Sequence, residues 1–487
     1  VYDEQREISE LLGLPKDKVR TISKTVGGAF GGKEDMSVQH HAALLSYLTK
    51  RPVKITLSRK ESIMVHPKRH AMEITCTTAC DEFGNLTAFK AQIISDTGAY
   101  SSLGGPVLQR ACTHAAGPYR IPNIEIEGTA VYTNNPPAGA FRGFGVTQSA
   151  FASECNLNLL AEKVGISPWE IRYKNAVLPK DVLPNGQIAD DSTAIVETLL
   201  AVKEEYEKHK YVGIACAMKN SGLGVGVPDF GRCRLIVKDN KVYVRTSAAR
   251  VGQGLATVIL QIVCETTKLC KEQIYIDEPD SFLTPDSGTS TASRQTLFTG
   301  EAARLASLKL KEALEAKSLQ ELENCEFYGE YEGVTDPMNS EKENPVSHVT
   351  YGYATQVVVL DENGKVSKVV ACHDVGRAIN PTNVEGQIDG GVVMGLGYAL
   401  TEDFPLKDSV PQAKFGTLGL FRATDIPEIV PIIIEKNHND LAYGAKGIGE
   451  ITTIPTAPAV QGAYYKYDGV FRKKLPLENT FYRRGGN

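Results

Sequence analysis

Four glycines, one aromatic, one cation and one carboxylate fall within nine residues at Val26-Gly27-Gly28-Ala29-Phe30-Gly31-Gly32-Lys33-Glu34. Glycines at this density let a turn present bare backbone N–H groups to something brought very close, an anion or a flat cofactor. A second cluster, Ala140-Phe141-Arg142-Gly143-Phe144-Gly145, brackets an arginine between two phenylalanines, which hold a planar guanidinium in place. Val251-Gly252-Gln253-Gly254 adds an amide that both donates and accepts hydrogen bonds. The run from Asp286 to Gln295 is dense in small hydroxyls and suits a polar, phosphate-rich ligand. Lastly, Gly444-Ala445-Lys446-Gly447-Ile448-Gly449-Glu450 delivers one carboxylate after a flexible run.

The elements around these loops follow from periodicity. The β-branched stretch 20–26 predicts a strand and 37–48 a helix, so the first glycine turn joins strand to helix, where a helix N-terminus adds positive potential. Residues 27–33 fit a phosphate-binding G-x-x-x-x-G-K loop, but Glu34 stands where Ser or Thr should hold magnesium, and a carboxylate there repels phosphate. A nucleotide triphosphatase is excluded on that ground. Alternation over 72–79 and 86–94 predicts a hairpin, and 101–123 reads as a loop carrying Arg110. Helices are predicted over 4–12, 147–164, 193–210, 255–269, 300–316, 383–402 and 456–467, with another opened at Ser167-Pro168-Trp169-Glu170. Strands are predicted over 213–219, 233–238, 241–248, 353–360 and 365–372. The charged stretch Lys203 to Lys210 marks a change of composition, and a domain boundary is placed there, dividing the chain into 1–210 and 211–487.

Composition narrows the function classes. The chain has 487 residues, 42% hydrophobic and 23% charged, ordinary for a globular protein of two or more domains. A formal net charge of −5 offers no basic footprint for nucleic acid. No apolar run reaches the length of a membrane span and the N-terminus does not read as a signal peptide, so a cytoplasmic enzyme without a membrane partner is expected. The ten cysteines are scattered, with no zinc or iron–sulfur spacing, and read as reduced thiols. His40 and His41 are adjacent on a helix and cannot chelate one metal from one face, and Cys372 and His373 point to opposite faces of a strand.

The loops at Gly27, Arg142, Gln253, Ser287 to Gln295 and Glu450, in that order over essentially the whole chain, resemble the molybdopterin-binding portion of the molybdenum hydroxylases, the xanthine dehydrogenase and aldehyde oxidase family. The resemblance implies an α+β fold of two mixed molybdopterin-binding domains with the cofactor between them. It implies a molybdenum–molybdopterin cofactor, expected in the cytosine dinucleotide form, with a terminal sulfido or selenido ligand and no metal ligand from the protein. By match, Gly28, Phe30 and Arg142 line the metal site, Gly252 and Gln253 approach the cofactor, and Thr291, Ala292, Ser293 and Gln295 hold the pterin side. Glu450 is the expected base. Glu34 and Arg110 match the pair that grips a purine, with Phe144 in the same substrate pocket, which favours a purine or similar N-heterocycle over an aldehyde.

Met394 stands where many relatives have glutamine, which removes an expected contact. The family's upstream molybdopterin region would precede Val1, so either a partner chain carries it or this chain is a fragment, and further partner subunits bearing 2Fe-2S clusters and FAD are expected. An aldehyde or nicotinate-type hydroxylase of the same family is the alternative, and a metal-free scaffold subunit is the rival from another class. The presence of both Arg142 and Glu450 argues against the scaffold.

Overall fold

The computed structural model describes residues 1–437 and 439–483. Three helices, α1 (Tyr2–Leu12), α2 (Gln39–Thr49) and α3 (Arg59–Val65), precede the first sheet. Between α1 and α2 the predicted strand at 20–26 is absent. The segment runs extended but makes one bridge, Ile22 to Asp280, because its partner turns away through Asp280–Thr284.

The predicted hairpin forms from β1 (Met72–Cys80) and β2 (Leu86–Gly98), closed by Asp81, whose carboxylate accepts the N–H groups of Phe83 at 3.0 Å and Asn85 at 2.8 Å. A third strand, β3 (Asn123–Tyr132), pairs parallel with β2, and a parallel pair requires a crossover. Residues read as a loop supply it: α4 (Gly104–His114) buries Val107, Leu108 and Ala111, the last two packed with Phe89, Ala91 and Ile93. Pro106 sits in its first turn, where no N–H is needed. The flanking glycines hid that apolar stripe.

Next come α5 (Val146–Val164) and α6 (Pro168–Asn175), capped by the Ser167 hydroxyl on the Glu170 N–H at 3.0 Å. The helix expected over 193–210 breaks at the fully buried Val202 into α7 (Ile195–Ala201) and α8 (Lys203–Lys208).

From residue 212 the strands are β4 (Val212–Ser221), β5 (Asp229–Lys238), β6 (Lys241–Arg245), β7 (Ile274–Ile276), β8 (Glu326–Gly333), β9 (Thr350–Leu360), β10 (Val366–Asp374), β11 (Leu406–Lys407), β12 (Val410–Pro411) and β13 (Glu428–Ile434). They form two four-stranded sheets, ordered β13-β10-β9-β4 and β7-β6-β5-β8, and a small β11-β12 hairpin. Four helices cover them: α9 (Leu255–Thr267) and α10 (Gln295–Leu314) on the β5-containing sheet, α11 (Pro381–Leu400) and α12 (Thr456–Asp468) on one face of the other. Every residue of β9 is buried, as a central strand covered on both faces requires. The architecture is α+β, and among the described residues no helix is long and apolar enough to cross a membrane.

One core runs across residue 210: Trp169, Ile195 and Leu199 pack with Ile214, Tyr353 and Cys372. Inside it, Glu154 accepts hydrogen bonds from Tyr119 Oη at 2.6 Å, Arg172 Nε at 2.8 Å and the Cys216 N–H at 2.8 Å. Arg172 and Glu154 are 0% and 1% exposed, so removing the cation leaves a buried carboxylate without its counter-charge. Arg172→Met is expected to destabilise the fold by about 3–5 kcal/mol, measured by denaturant unfolding followed through Trp169, the only tryptophan. The double change with Glu154→Gln should recover part of that loss.

Candidate active site

The glycine turn 27–34 is held by backbone bonds to two distant loops. The Gly28 N–H donates to Val251 O at 3.0 Å, and the Arg142 N–H donates to Phe30 O at 2.9 Å. Gly31 (φ +99°) lies where a Cβ would sit 2.9 Å from the Ala140 carbonyl group, so only glycine lets these turns touch. Lys33 Nζ folds back onto Gly28 O at 2.8 Å, inside its own turn. These loops, together with 290–296, 375–390 and 445–450, enclose a cavity of about 540 Å³.

Buried cations fasten the remaining loops. Arg142 Nε donates to Gly449 O at 2.5 Å, and its Nη2 donates to both Gln387 O and Gln387 Oε1 at 3.0 Å. Its guanidinium lies 5.7 Å from the centre of the Phe30 ring, and burial lowers its pKa to about 10 against the opposing charge of Glu450. Arg294, 1% exposed, pairs with Asp229 at 2.6 Å and donates to Ser287 O at 2.8 Å and Thr289 O at 3.1 Å, fixing the hydroxyl-rich loop. Lys446 reaches Asp374 at 2.5 Å and Ser192 O at 2.7 Å. Phe30, Phe144, Ala292 and Ser293 all hold positive φ, and such left-handed non-glycine residues persist where the surroundings over-determine them.

Among the described residues two carboxylates, Glu34 and Glu450, face the cavity. Glu450 Oε2 accepts from Ser293 Oγ at 3.0 Å, its N–H donates back to the same hydroxyl at 3.1 Å, and Lys219 Nζ stands 3.4 Å from Oε1. At Gly447 a Cβ would meet the Ser293 carbonyl oxygen at 2.0 Å, so glycine is what lets this loop reach Ser293. Glu34 Oε1 accepts from Thr291 Oγ1 at 2.6 Å. Burial, joined by the charges of Glu450 and Asp35 and opposed by the Thr291 hydrogen bond, raises its pKa to about 7.

Of the residues singled out from sequence, Gly28, Phe30, Glu34, Arg142, Phe144, Gly252, Gln253, Thr291, Ala292, Ser293, Gln295 and Glu450 all line this one cavity. The Gln253 amide closes its own loop, accepting from the Val251 N–H at 2.8 Å and donating to Ala249 O at 3.0 Å. Arg110 and Met394 lie outside the lining. The Arg110 guanidinium is buried behind the wall against His348 Nε2 and donates to Leu223 O at 2.6 Å. Sequence reasoning missed Lys219, Arg294, Gln387 and the Lys446–Asp374 pair. A basic residue inside an otherwise apolar strand, Ala215 to Met218 followed by Lys219, was the one available signal. All ten cysteines are unpaired thiols, and His373, fully buried with its pKa lowered to about 4 by burial, takes no part in the cavity.

The molybdopterin cofactor-binding domain models match residues 1–176 and, for a second domain, 195–326 and 315–427. A relative from Bacillus subtilis, named as one subunit of a probable xanthine dehydrogenase, is 34% identical over 98% of this chain and 70% of its own length. The chain belongs to the molybdenum hydroxylase family. A nicotinate dehydrogenase large molybdopterin subunit of Eubacterium barkeri is 46% identical over 204 residues, 42% of this chain and 48% of the relative. The aldehyde oxidoreductase from Desulfovibrio gigas superposes with a TM-score of 0.91 at 27% identity, covering 99% of this chain. The chain spans 56% of that hydroxylase's length.

The cavity has the chemistry such a cofactor needs. The first turns of α9, α10 and α11 all contribute to its wall, presenting N-terminal N–H groups and partial positive charge to an anionic group. Asn383, in the first turn of α11, has a buried Nδ2 with no hydrogen-bond partner among the described residues. Backbone N–H groups and neutral amides at this density suit the phosphates and pterin edge of a molybdopterin.

The raised pKa of Glu34 has a stability consequence with a definite sign. Between about pH 4.5 and 7 the unfolded chain releases the Glu34 proton while the folded one keeps it, so folding stability falls as pH rises through this window. Glu34→Gln removes that loss. Unfolding midpoints at pH 5 and pH 8 should show the variant gaining stability relative to the unmodified protein at the higher pH, and a pH-independent difference would contradict the assignment.

Proposed function

We propose that this chain carries the catalytic molybdopterin site of a hydroxylase that inserts water-derived oxygen at a C–H carbon of an electron-poor N-heterocycle, a purine foremost. The observation that carries it is Glu450, anchored by Ser293 and Lys219, facing the same cavity as the protonatable Glu34. Gly28, Phe30, Gly252, Gln253 and the 291–295 loop would hold the molybdenum pterin, taken to be the cytosine dinucleotide with a sulfido or selenido ligand. When bound, that group supplies the oxidising power for a two-electron hydroxylation.

The protein's own part is proton handling and positioning. Glu450 takes up a proton at its carboxylate as the oxygen nucleophile forms, and a carboxylate held by one hydroxyl and one ammonium is pre-oriented to do so. Arg142 is committed to Gly449 O and Gln387 O, so it fixes the loop that bears Glu450. Glu34, titrating near neutrality, can donate to a ring nitrogen when protonated and accept from a ring N–H when ionised. An aldehyde offers no such second group. Arg110 acts on the cavity through its charge from behind the wall. Electrons leave to partner chains bearing 2Fe-2S and FAD centres, a reading supported by relatives named as subunits of larger enzymes.

A pyridine carboxylate is the second reading, favoured by the 46% identity to the nicotinate dehydrogenase chain. The complex purified from its native cell, with close to one molybdenum per chain, is expected to oxidise hypoxanthine or nicotinate at least about 10-fold more efficiently than benzaldehyde. Glu450→Gln should retain molybdenum yet lose about 10²-fold or more in anaerobic stopped-flow reduction, the lower range of a general base's contribution. Unchanged reduction kinetics at normal metal content would refute the role of Glu450, and preference for the aldehyde would refute the substrate class.

A further inference from the structure

Lys219 stands beside Glu450 and, beyond anchoring it, has no part in the chemistry proposed for the cavity. It projects from β4, in which every residue is buried, and its own side chain is 2% exposed. Its ammonium lies 2.7 Å from Asn220 Oδ1 and 3.4 Å from Glu450 Oε1. The end of β4 also reaches both loops that flank Glu450: Ser221 Oγ accepts from the Gly447 N–H at 2.7 Å and the Gly222 N–H donates to Ala292 O at 2.9 Å. A buried lysine is costly to keep charged unless an anion faces it, and Glu450 is the carboxylate that does.

We propose that Lys219 is a positioning residue for the hydroxylation, holding the Glu450 carboxylate against Ser293 so that its loss or neutralisation releases the base. This rests on Glu450 acting as proposed above. The charged and titratable groups around the pair are Arg110 and His114 from α4, Arg142 ahead of α5, Glu34 from the glycine turn and His348 ahead of β9. Both histidines are held well below their ordinary pKa by burial and neighbouring cations, so neither replaces Lys219 as a cation for Glu450. Burial, opposed by Glu450 and assisted by Arg110, lowers the Lys219 pKa to about 8. An arginine at this position keeps its proton to a higher pH than the lysine does.

The test compares kcat of the native complex, with hypoxanthine or nicotinate as substrate, over pH 6 to 10 for the unmodified enzyme, Lys219→Arg and Lys219→Met, each checked for molybdenum content. The unmodified rate should fall about 10-fold between pH 8 and 10, Lys219→Arg should lack that alkaline limb, and Lys219→Met should be about 10-fold slow at every pH with KM little changed. A second readout needs no cofactor: between about pH 8 and 10.5 the unfolded chain holds the lysine proton that the folded chain has released, so the unmodified protein should gain stability over Lys219→Met as pH rises. An alkaline limb that persists in Lys219→Arg, or a Lys219→Met enzyme as fast as the unmodified one while Glu450→Gln is slow, overturns the role of Lys219 alone. A fast Glu450→Gln enzyme overturns the base, and this proposal with it.

Discussion

Irregular loops can enclose a precise cavity only if their carbonyls are tied down, and here buried cations do the tying. Arg142 joins the 140–145 turn to Gly449 and to α11, Arg294 pulls Ser287, Thr289 and Phe230 around one guanidinium, and Lys446 joins the 444–450 run to Ser192 and Asp374. A guanidinium carries five N–H donors in a rigid fork, so one buried arginine satisfies several loop carbonyls that have no ladder to join. Arg69 repeats the device, donating to Arg142 O at 2.8 Å while lying 4.3 Å from the Phe141 ring centre. The bracketing of an arginine by aromatics, visible in the sequence, thus marks the scaffold of the loops as much as their contents.

The same arrangement sets the electrostatics. Arg142, Arg110 and Lys219 are all deep in the protein, and each interacts with the charge of Glu450, a carboxylate shared among three cations. Glu34, whose hydrogen-bond partner is the neutral hydroxyl of Thr291, keeps its proton to about pH 7. Two carboxylates on one cavity therefore differ in partners by construction, one beside an ammonium and one beside a hydroxyl. Pairs of titratable groups held in unlike surroundings are the usual division of labour between a base and a binding group.

Much of this was legible from residue types. Glycine clusters, the hydroxyl-rich run and the lone carboxylate after Gly449 pointed to one site because each is a backbone requirement written locally, and the structure brings twelve such residues to one cavity. Long periodic helices such as α5 and α12 were equally plain. What failed depended on distant partners. The β-branched run 20–26 had strand propensity but no edge to join, and α4 was masked by Gly104, Gly105 and Pro106 although its stripe fits the first sheet. Arg110 sits on that helix with its guanidinium turned to His348, a direction no local pattern specifies. Lys219 was hidden because its counter-charge lies 231 residues on in the chain.

Separations of that size explain why the loops alone cannot form the site. Arg142 and Gly449 are 307 residues apart, and the entropy of closing such a loop is far beyond what one hydrogen bond of about 1 kcal/mol can offset. Closure is carried instead by the sheets and cores: α5 packs with α12 and with β4, and the core that contains Trp169 and Ile214 spans the composition change at residue 210. Once those elements have packed, the loop ends are already neighbours, and each hydrogen bond to a loop carbonyl adds order at little further entropic loss. The cavity is therefore pre-organised by packing outside it, which is what lets four non-glycine residues sit at positive φ on its wall without the loops relaxing.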